Sequence, residues 1–299
     1  SDTLGSGSVA IGTQALTSQN FTSAVDVYNV AVGYRAGLAV TSGSKNTLIG
    51  GLAGDALTTG IVNVAVGYQA LSSDTAGKRS VAIGNGALFT QNFTSATDTY
   101  NTAVGEAAGN GITTGINNTL IGGLAGDALT DADYNTVLGF NALSADTLGS
   151  RAVAIGFEAL NDQNFTSATD SYNIAIGFNA GCKVTTGVRN TLIGSKTGDA
   201  FTDADYNVAL GYNALTSDTL GSTSTAIGYA ALETQNFTSA TDSYNTAVGY
   251  NAGTAVTTGT NNTLIGGLAG DAITTGGDNV VVGYTAFGAN TTGASNVAL

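Results

Sequence analysis

Aliphatic triplets closed by a glycine recur along the whole chain, and their spacing gives the first reading of the fold. The closing glycine falls at 12, 33, 50, 67, 84, 105, 122, 139, 156, 177, 194, 211, 228, 249, 266 and 283. Successive gaps read 21, 17, 17 and 17, and the cycle repeats without a slip, for a superperiod of 72 residues. A fixed period under about 50 residues marks a stacked repeat array. The superrepeats are 12–83, 84–155, 156–227 and 228–299, with 1–11 as the end of a preceding copy. No composition shift or linker interrupts residues 1–299, so one continuous array is expected.

The residue before each glycine is Ile, Val or Leu, and the residue three before is Val, Thr or Ile, as in Val9 and Ile11 or Thr246 and Val248. Between them stands Ala, Val or Leu. Such β-branched positions suit a pleated strand, whose side chains alternate between faces. Both faces are apolar, which predicts strands buried on both sides in a packed parallel array. The expectation is an all-β parallel β-solenoid, a β-roll with two short strands and two turns per coil. Its 17 coils at a strand spacing of ~4.8 Å would make a rod of roughly 80 Å.

Four residues before the glycine stands Asn in 13 of 17 coils: Asn29, Asn46, Asn63, Asn101, Asn118, Asn135, Asn173, Asn190, Asn207, Asn245, Asn262, Asn279 and Asn296. The exceptions Ser8, Ser80, Ala152 and Ser224 are spaced by 72. Stacked amides can hydrogen-bond along an array, which predicts a structural Asn ladder; the alternative is that Asn merely suits a turn before a strand. Three residues after the glycine comes Ala in 15 of 16 coils, Thr197 being the exception, so a tight corner is expected there. The next position holds Leu16, Leu71, Leu88 and Leu143 in two coil types and Gly37, Gly54, Gly109 and Gly126 in the other two. The marker glycine itself is expected at a positive φ or a bulge.

The 21-residue coil carries Gln91 to Asp98 followed by Tyr100, with Phe21, Phe93, Phe165 and Phe237 in equivalent places. Its four extra residues are expected to bulge as a loop. Ser1 to Ser6 match Ser217 to Ser222, and Leu299 stands where the next glycine would follow. Solenoids need polar caps to stay soluble, so the chain reads as a segment of a longer protein.

Composition narrows the chemistry. His, Pro, Met and Trp are absent, 43 residues are Gly, a tenth are charged, and the net charge is −13. Nucleic acid and anionic membrane call for a basic face, and acidity instead keeps a repetitive surface soluble. Without histidine, triads and zinc sites have no ligands or bases. The lone Cys182 forms no internal disulfide and reads as an incidental small residue. Gly122 to Gly126 has the glycine content of a phosphate loop without its Gly-Lys-Ser/Thr ending, and Lys196 in the equivalent segment is misplaced for that role. Aspartates recur at Asp55, Asp127, Asp199 and Asp271, at Asp26, Asp98, Asp170 and Asp242, and in the pairs Asp131 with Asp133 and Asp203 with Asp205. Carboxylates beside turn carbonyls can hold calcium, but the nonapeptide pattern of calcium β-rolls is missing, so solvated turn aspartates and no cofactor are expected. Asn20, Asn92, Asn164 and Asn236 each begin an Asn-Phe-Thr glycosylation sequon. The position three before glycine is Thr in 8 of 17 coils; that mixture, on a face expected to be buried, weighs against an ice-binding threonine array.

A hexapeptide helix would need an aliphatic residue every sixth position, and neither 17 nor 21 is a multiple of six. The pattern instead resembles the YadA-like head repeats of trimeric autotransporter adhesins. Ser8-Val9-Ala10-Ile11-Gly12, Ser80-Val81-Ala82-Ile83-Gly84 and Ala152-Val153-Ala154-Ile155-Gly156 carry the resemblance. Asn207 to Leu215 is also similar to phage tail-fibre and bacterial tail-fibre-domain repeats. The resemblance implies a left-handed roll, three chains about an axis, and a rigid non-catalytic rod that presents a surface for attachment outside the cell or on a virion.

The functional expectation is therefore a structural shaft of an extracellular fibre or adhesin. The alternatives are a phage tail-fibre segment that binds host glycans through the long loops with their Phe and Tyr, and an ice-binding solenoid. Self-association follows from the strand's two apolar faces, because exposing one along 17 coils would leave an apolar stripe that soluble monomers rarely show. A homotrimer is favoured, with a closed dimer or lateral filament packing as alternatives. The small Ala face, Ala175 and Ala247 included, is the expected contact, so Asp at those positions should dissociate the assembly before unfolding a coil.

Overall fold

A computed structural model describes residues 4–299; the Ser1 to Thr3 part of the match to an earlier copy lies outside the described residues. They fall into two compact units, one running to Ser150 with 166–168 added, the other comprising 151–165 and 169–299. Each unit is an all-β stack of parallel coils, a β-solenoid that together runs to about 17 turns. In the first unit the strands Val9–Ile11, Val30–Val32, Thr47–Ile49, Val64–Val66, Val81–Ile83, Thr102–Val104, Thr119–Ile121 and Thr136–Leu138 pair in sequence order. In the second the run is Val153–Ile155, Ile174–Ile176, Thr191–Ile193, Val208–Leu210, Thr225–Ile227, Thr246–Val248, Thr263–Ile265, Val280–Val282 and Val297–Ala298. The register is the repeat itself, with Thr246 opposite Thr263 and Val248 opposite Ile265.

The second strand expected in every coil forms only beside the long coil, as two-residue bridges such as Gly77–Lys78 with Thr97–Asp98 and Gly221–Ser222 with Thr241–Asp242. Each coil passes through three left-handed residues, for example Val62 (φ 61°), Gln69 (56°) and Leu71 (53°), a conformation few non-glycine residues adopt. Coil-to-coil bonds still hold this side: Leu71 N–H donates to the Ala87 carbonyl at 3.0 Å and Ser73 N–H to that of Phe89 at 3.2 Å.

The marker glycines are fixed twice over. Their φ values lie between 126° and 146°, where an L side chain is strained. A Cβ on Gly105 would also sit 2.3 Å from the carbonyl oxygen of Gly122 in the next coil. Backbone stacks on backbone here, and nothing larger than hydrogen fits.

The middle residue of each strand points into the coil: Ala31, Leu48, Ala65, Ala175 and Ala247 are all fully buried. The outer pair faces away and is half-buried or exposed, as at Ile49, Val208 and Leu210. Two expectations are corrected here. The strands are covered on one face only within each unit, because the coil's own turn side closes over the middle residue and nothing else. The Ala face is core, so Ala175 and Ala247 are not available for contact with another chain.

The alternation of Leu and Gly four residues after the marker is a matter of core volume. Leu48 fills its coil so completely that a Cβ at Gly37 or Gly54 would meet its methyl groups at 2.7 and 2.8 Å. Leu120 and Leu264 stand in the same relation to Gly109 and Gly270. In the Ala65 and Ala82 coils the left-handed Leu71 and Leu88 supply volume, whereas in the Ala31 and Ala103 coils the space at Gly37 and Gly109 is filled from the neighbouring coils, by Leu48 with Leu16 and by Leu120 with Leu88. Close packing tolerates neither a void nor an overlap at this scale.

Candidate interaction face

The Asn positions form a buried polar spine. Asn46 N–H donates to Asn29 Oδ1 at 2.9 Å, while Asn46 Nδ2 reaches the Gly60 carbonyl at 2.9 Å. The same pattern recurs at Asn63, Asn118 and Asn135, and in the second unit at Asn190, Asn207, Asn262, Asn279 and Asn296. Each amide thereby satisfies backbone groups that burial would otherwise orphan.

Where the Asn series breaks, a buried glutamine carries it across. Asn101 Nδ2 donates to Gln91 Oε1 at 2.9 Å, and Gln91 Nε2 donates to Ser80 Oγ at 2.8 Å and Asp74 Oδ2 at 2.6 Å. Gln235 repeats this with Asn245, Ser224 and Asp218; Gln19 and Gln163 accept from Asn29 and Asn173. Reading the sequence by residue type missed this network. The available signal was positional: seven residues after the marker stands Gln in every long coil and Asp74, Asp146 or Asp218 in the preceding one. All seven of these Gln and Asp side chains are buried.

Other candidate residues are scattered. Asn20, Asn92, Asn164 and Asn236 are exposed, and Asn92 and Asn236 accept hydrogen bonds from the Thr75 and Thr219 hydroxyls. The exposed bulge is Thr94 to Ala96, whereas Phe93, Phe165 and Phe237 fold back and are buried. Those rings therefore anchor the loop and are not displayed for binding. Asp131 and Asp203 accept from the Thr114 and Thr186 hydroxyls, and Asp133 and Asp205 accept from the Ile116 and Val188 amides. Burial raises the carboxyls of Asp127 and Asp205 above the usual range. Hydrogen bonds from Ser6 and Tyr28 lower that of Asp26. Asp55 and Asp199 accept from Ser72 and Thr216, and Asp98 pairs with Arg79 at 2.6 Å. Among the described residues no three His, Cys, Asp or Glu side chains are grouped to hold a metal ion. Gly122 is a marker glycine and Gly126 lines the core beside Leu120 and Leu129, so the glycine-rich segment is a turn. Cys182 is half-buried, and its thiol is pushed up to about 11 by burial and by Asp162, Glu158 and Asp199.

One surface does gather side chains systematically. Along each unit the outward residues three and one before the marker form two aliphatic rows, flanked on both sides by aromatic rows. The residue after the marker supplies one flank: Tyr34, Tyr68 and Phe140 in the first unit, and Phe157, Phe178, Tyr212, Tyr229, Tyr250 and Tyr284 in the second, all exposed. Neighbouring rings stack, with Phe157 and Phe178 centroids at 5.4 Å and Tyr229 and Tyr250 at 5.3 Å. Left-handed residues five before the marker supply the other flank, with Arg79 then Tyr100 in the first unit and Arg151, Tyr172, Arg189 and Tyr206 in the second, among others such as Lys45, Val62, Asn117 and Asp278. The Arg189 guanidinium lies 5.3 Å from the Tyr206 ring and 5.9 Å from that of Tyr172, distances at which cation–π attraction operates. The face offers apolar area, ring faces and few charges. Its threonines alternate irregularly with Val, and the adjoining row carries no hydroxyl, so it presents no regular hydroxyl lattice. No protein-family model, curated protein or solved structure matches this chain.

Proposed function

We propose that this chain is a structural, non-catalytic shaft segment of an extracellular fibre or adhesin, built by packing copies of itself along the aliphatic and aromatic face. The observation that carries this reading is the continuity of that face: Ile49, Ile83, Ile121 and Leu138 in one unit, and Leu210, Ile265 and Val282 in the other, all stand exposed in line. The largest apolar patch on a soluble monomer is typically ~300–600 Å², and a stable interface takes about 800 Å² from each partner. Rows that persist from coil to coil fit the second description. The resemblance to adhesin head repeats favours three copies about an axis, with a filament as the alternative. Chemistry supports the non-catalytic reading: with no histidine, and the one thiol pushed up to about 11, His- and Cys-based nucleophilic chemistry has neither its base nor its thiolate.

Sedimentation and electron microscopy test the assembly. The wild-type chain should form oligomers or fibres at micromolar concentration. Leu210→Lys with Ile265→Lys should yield a monomer of unchanged circular dichroism, since both side chains point away from the core. A wild-type chain that sediments as a well-folded monomer at that concentration overturns the proposal.

The tail-fibre reading, in which a shaft of this kind also binds host glycans, draws on the exposed tyrosine rows, because ring faces stack well on sugars. It no longer draws on the long-loop phenylalanines, since Phe93, Phe165 and Phe237 are buried and Phe21 is half-buried.

A further inference from the structure

The aromatic row that follows the marker glycines is interrupted once in a way that opens a cavity. In the step from the Gly84 coil to the Gly105 coil, both ring positions are polar: Asn85 and Glu106 stand where the last superrepeat has Tyr229 and Tyr250 stacked at 5.3 Å. The space the rings would occupy is a cavity of about 290 Å³ lined by Gln69, Asn85, Gly86, Phe89, Glu106, Ala107 and Asn110.

The repeat itself supplies the comparison that makes this more than a dent. Residues 84–110 and 228–254 are equivalent stretches that differ at only seven positions: 85, 86, 89, 99, 106, 107 and 110. Six of those seven line the cavity, position 99 being the exception. Apart from position 99 the intervening strand, loop and Asn ladder are the same in both copies, and differences resume on either side, at 79, 81, 111, 112 and 116.

Both rings give way to an amide and a carboxylate. Gly86 and Ala107 are smaller than Ala230 and Asn251 of the last copy and leave room, and Phe89 introduces a half-buried ring where the last copy has Glu233. Asn110 Nδ2 donates to the Gly86 carbonyl at 3.1 Å, which fixes its amide at the rim with Oδ1 as acceptor. The backbone below is tied off, Ala107 N–H to the Asn85 carbonyl at 2.8 Å and Gly86 N–H to that of Tyr68 at 3.0 Å. Three amide side chains and one carboxylate offer both donors and acceptors. No lysine or arginine lines the cavity.

We infer that this cavity is a binding site for a neutral saccharide, taking one sugar ring of an oligosaccharide. Vicinal hydroxyls donate to the Glu106 carboxylate and to amide oxygens and accept from amide N–H groups, while the apolar face of the ring lies on Phe89. Glu106 disfavours anionic sugars by like charge, and the volume, at the low end of small-molecule pockets (~300–1,000 Å³), suits a single ring. This goes beyond the shaft reading and does not depend on it, since a monomer would bind equally well.

The test is binding of the 299-residue chain to an array of immobilised neutral gluco-, manno-, galacto- and N-acetylhexosamine oligosaccharides, with sialylated ones alongside. Wild type should bind a subset of the neutral glycans. Asn85→Tyr with Glu106→Tyr rebuilds the ring stack of the last copy and should lower the affinity at least tenfold with unchanged melting temperature. Phe89→Glu, the residue of the last copy, should also weaken binding. Absence of binding to every neutral glycan, binding to sialylated glycans alone, or equal binding by wild type and the double-tyrosine variant overturns the inference, the last by placing the sugar on the aromatic rows.

Discussion

Gln91 and Asp74, from adjacent coils, meet inside the stack with Nε2 2.6 Å from Oδ2, and both side chains are fully buried. The other carboxyl oxygen accepts the Gly77 and Phe93 amides at 3.0 and 3.1 Å. Glutamine thus joins the Asn spine to the turn where the long loop begins. Gln91→Met should strip Asp74, Asn101 and Ser80 of a partner each and cost about 3 kcal/mol locally, as buried polar groups left unpaired do. Because stacked repeats need not unfold in one step, hydrogen exchange is the measurement. The Gly77 and Phe93 amides should exchange about 100-fold faster, at ~1.4 kcal/mol per tenfold.

Glycines at two positions should respond oppositely to one added methyl. Gly105→Ala places a Cβ 2.3 Å from the Gly122 carbonyl oxygen at a φ of 143°, and should open the stack at that coil. Gly51→Ala meets only the Tyr68 ring, at 3.4 Å and outside the left-handed region. It should be neutral or stabilise by ~0.4–1 kcal/mol through the unfolded state. Comparable melting of the two variants would contradict the stacking argument.

Faces of the strand can be separated by paired substitutions. Ala175→Asp puts a carboxylate into a fully buried site and should unfold its coil, costing several kcal/mol (roughly 3 or more). Ile176→Asp, one residue on, points outward and should leave circular dichroism unchanged while impairing self-association. Soluble, folded Ala175→Asp protein would show that the inside and outside of the strand have been reversed.

Cys182 should be a slow thiol. With its pKa about 11 against an ordinary 9.0, the thiolate fraction at pH 8 falls about 100-fold, and reaction with a disulfide reagent should slow accordingly. Since folding raises this pKa, the stability it contributes is fully present below pH 9 and is lost as pH rises toward 11. Labelling at the rate of a free cysteine at pH 8 would refute the burial and the acidic surroundings invoked here.

Regular repetition made the stack legible before any coordinates. The 21, 17, 17, 17 spacing, the glycine that closes each triplet and the Asn series reappear as register, backbone contact and buried spine. These features repeat because each coil meets the next through the same positions, and a periodic contact writes a periodic sequence. What faced where did not follow from the sequence. An Ala strand position and an Ile strand position are both apolar, and only the closure of the coil over Ala31, Ala175 and Ala247 shows that Ala is core and Ile surface. Hydrophobicity reports a preference for burial without naming the cover. The three left-handed residues that turn each coil were likewise hidden, a conformation that Leu71 and Gln69 do not announce by type. The cavity beside Phe89 was invisible for the opposite reason. Its lining residues are the ones that break the period, and aperiodic substitutions become a site only when stacking brings positions 69, 85, 89, 106 and 110 to one hollow.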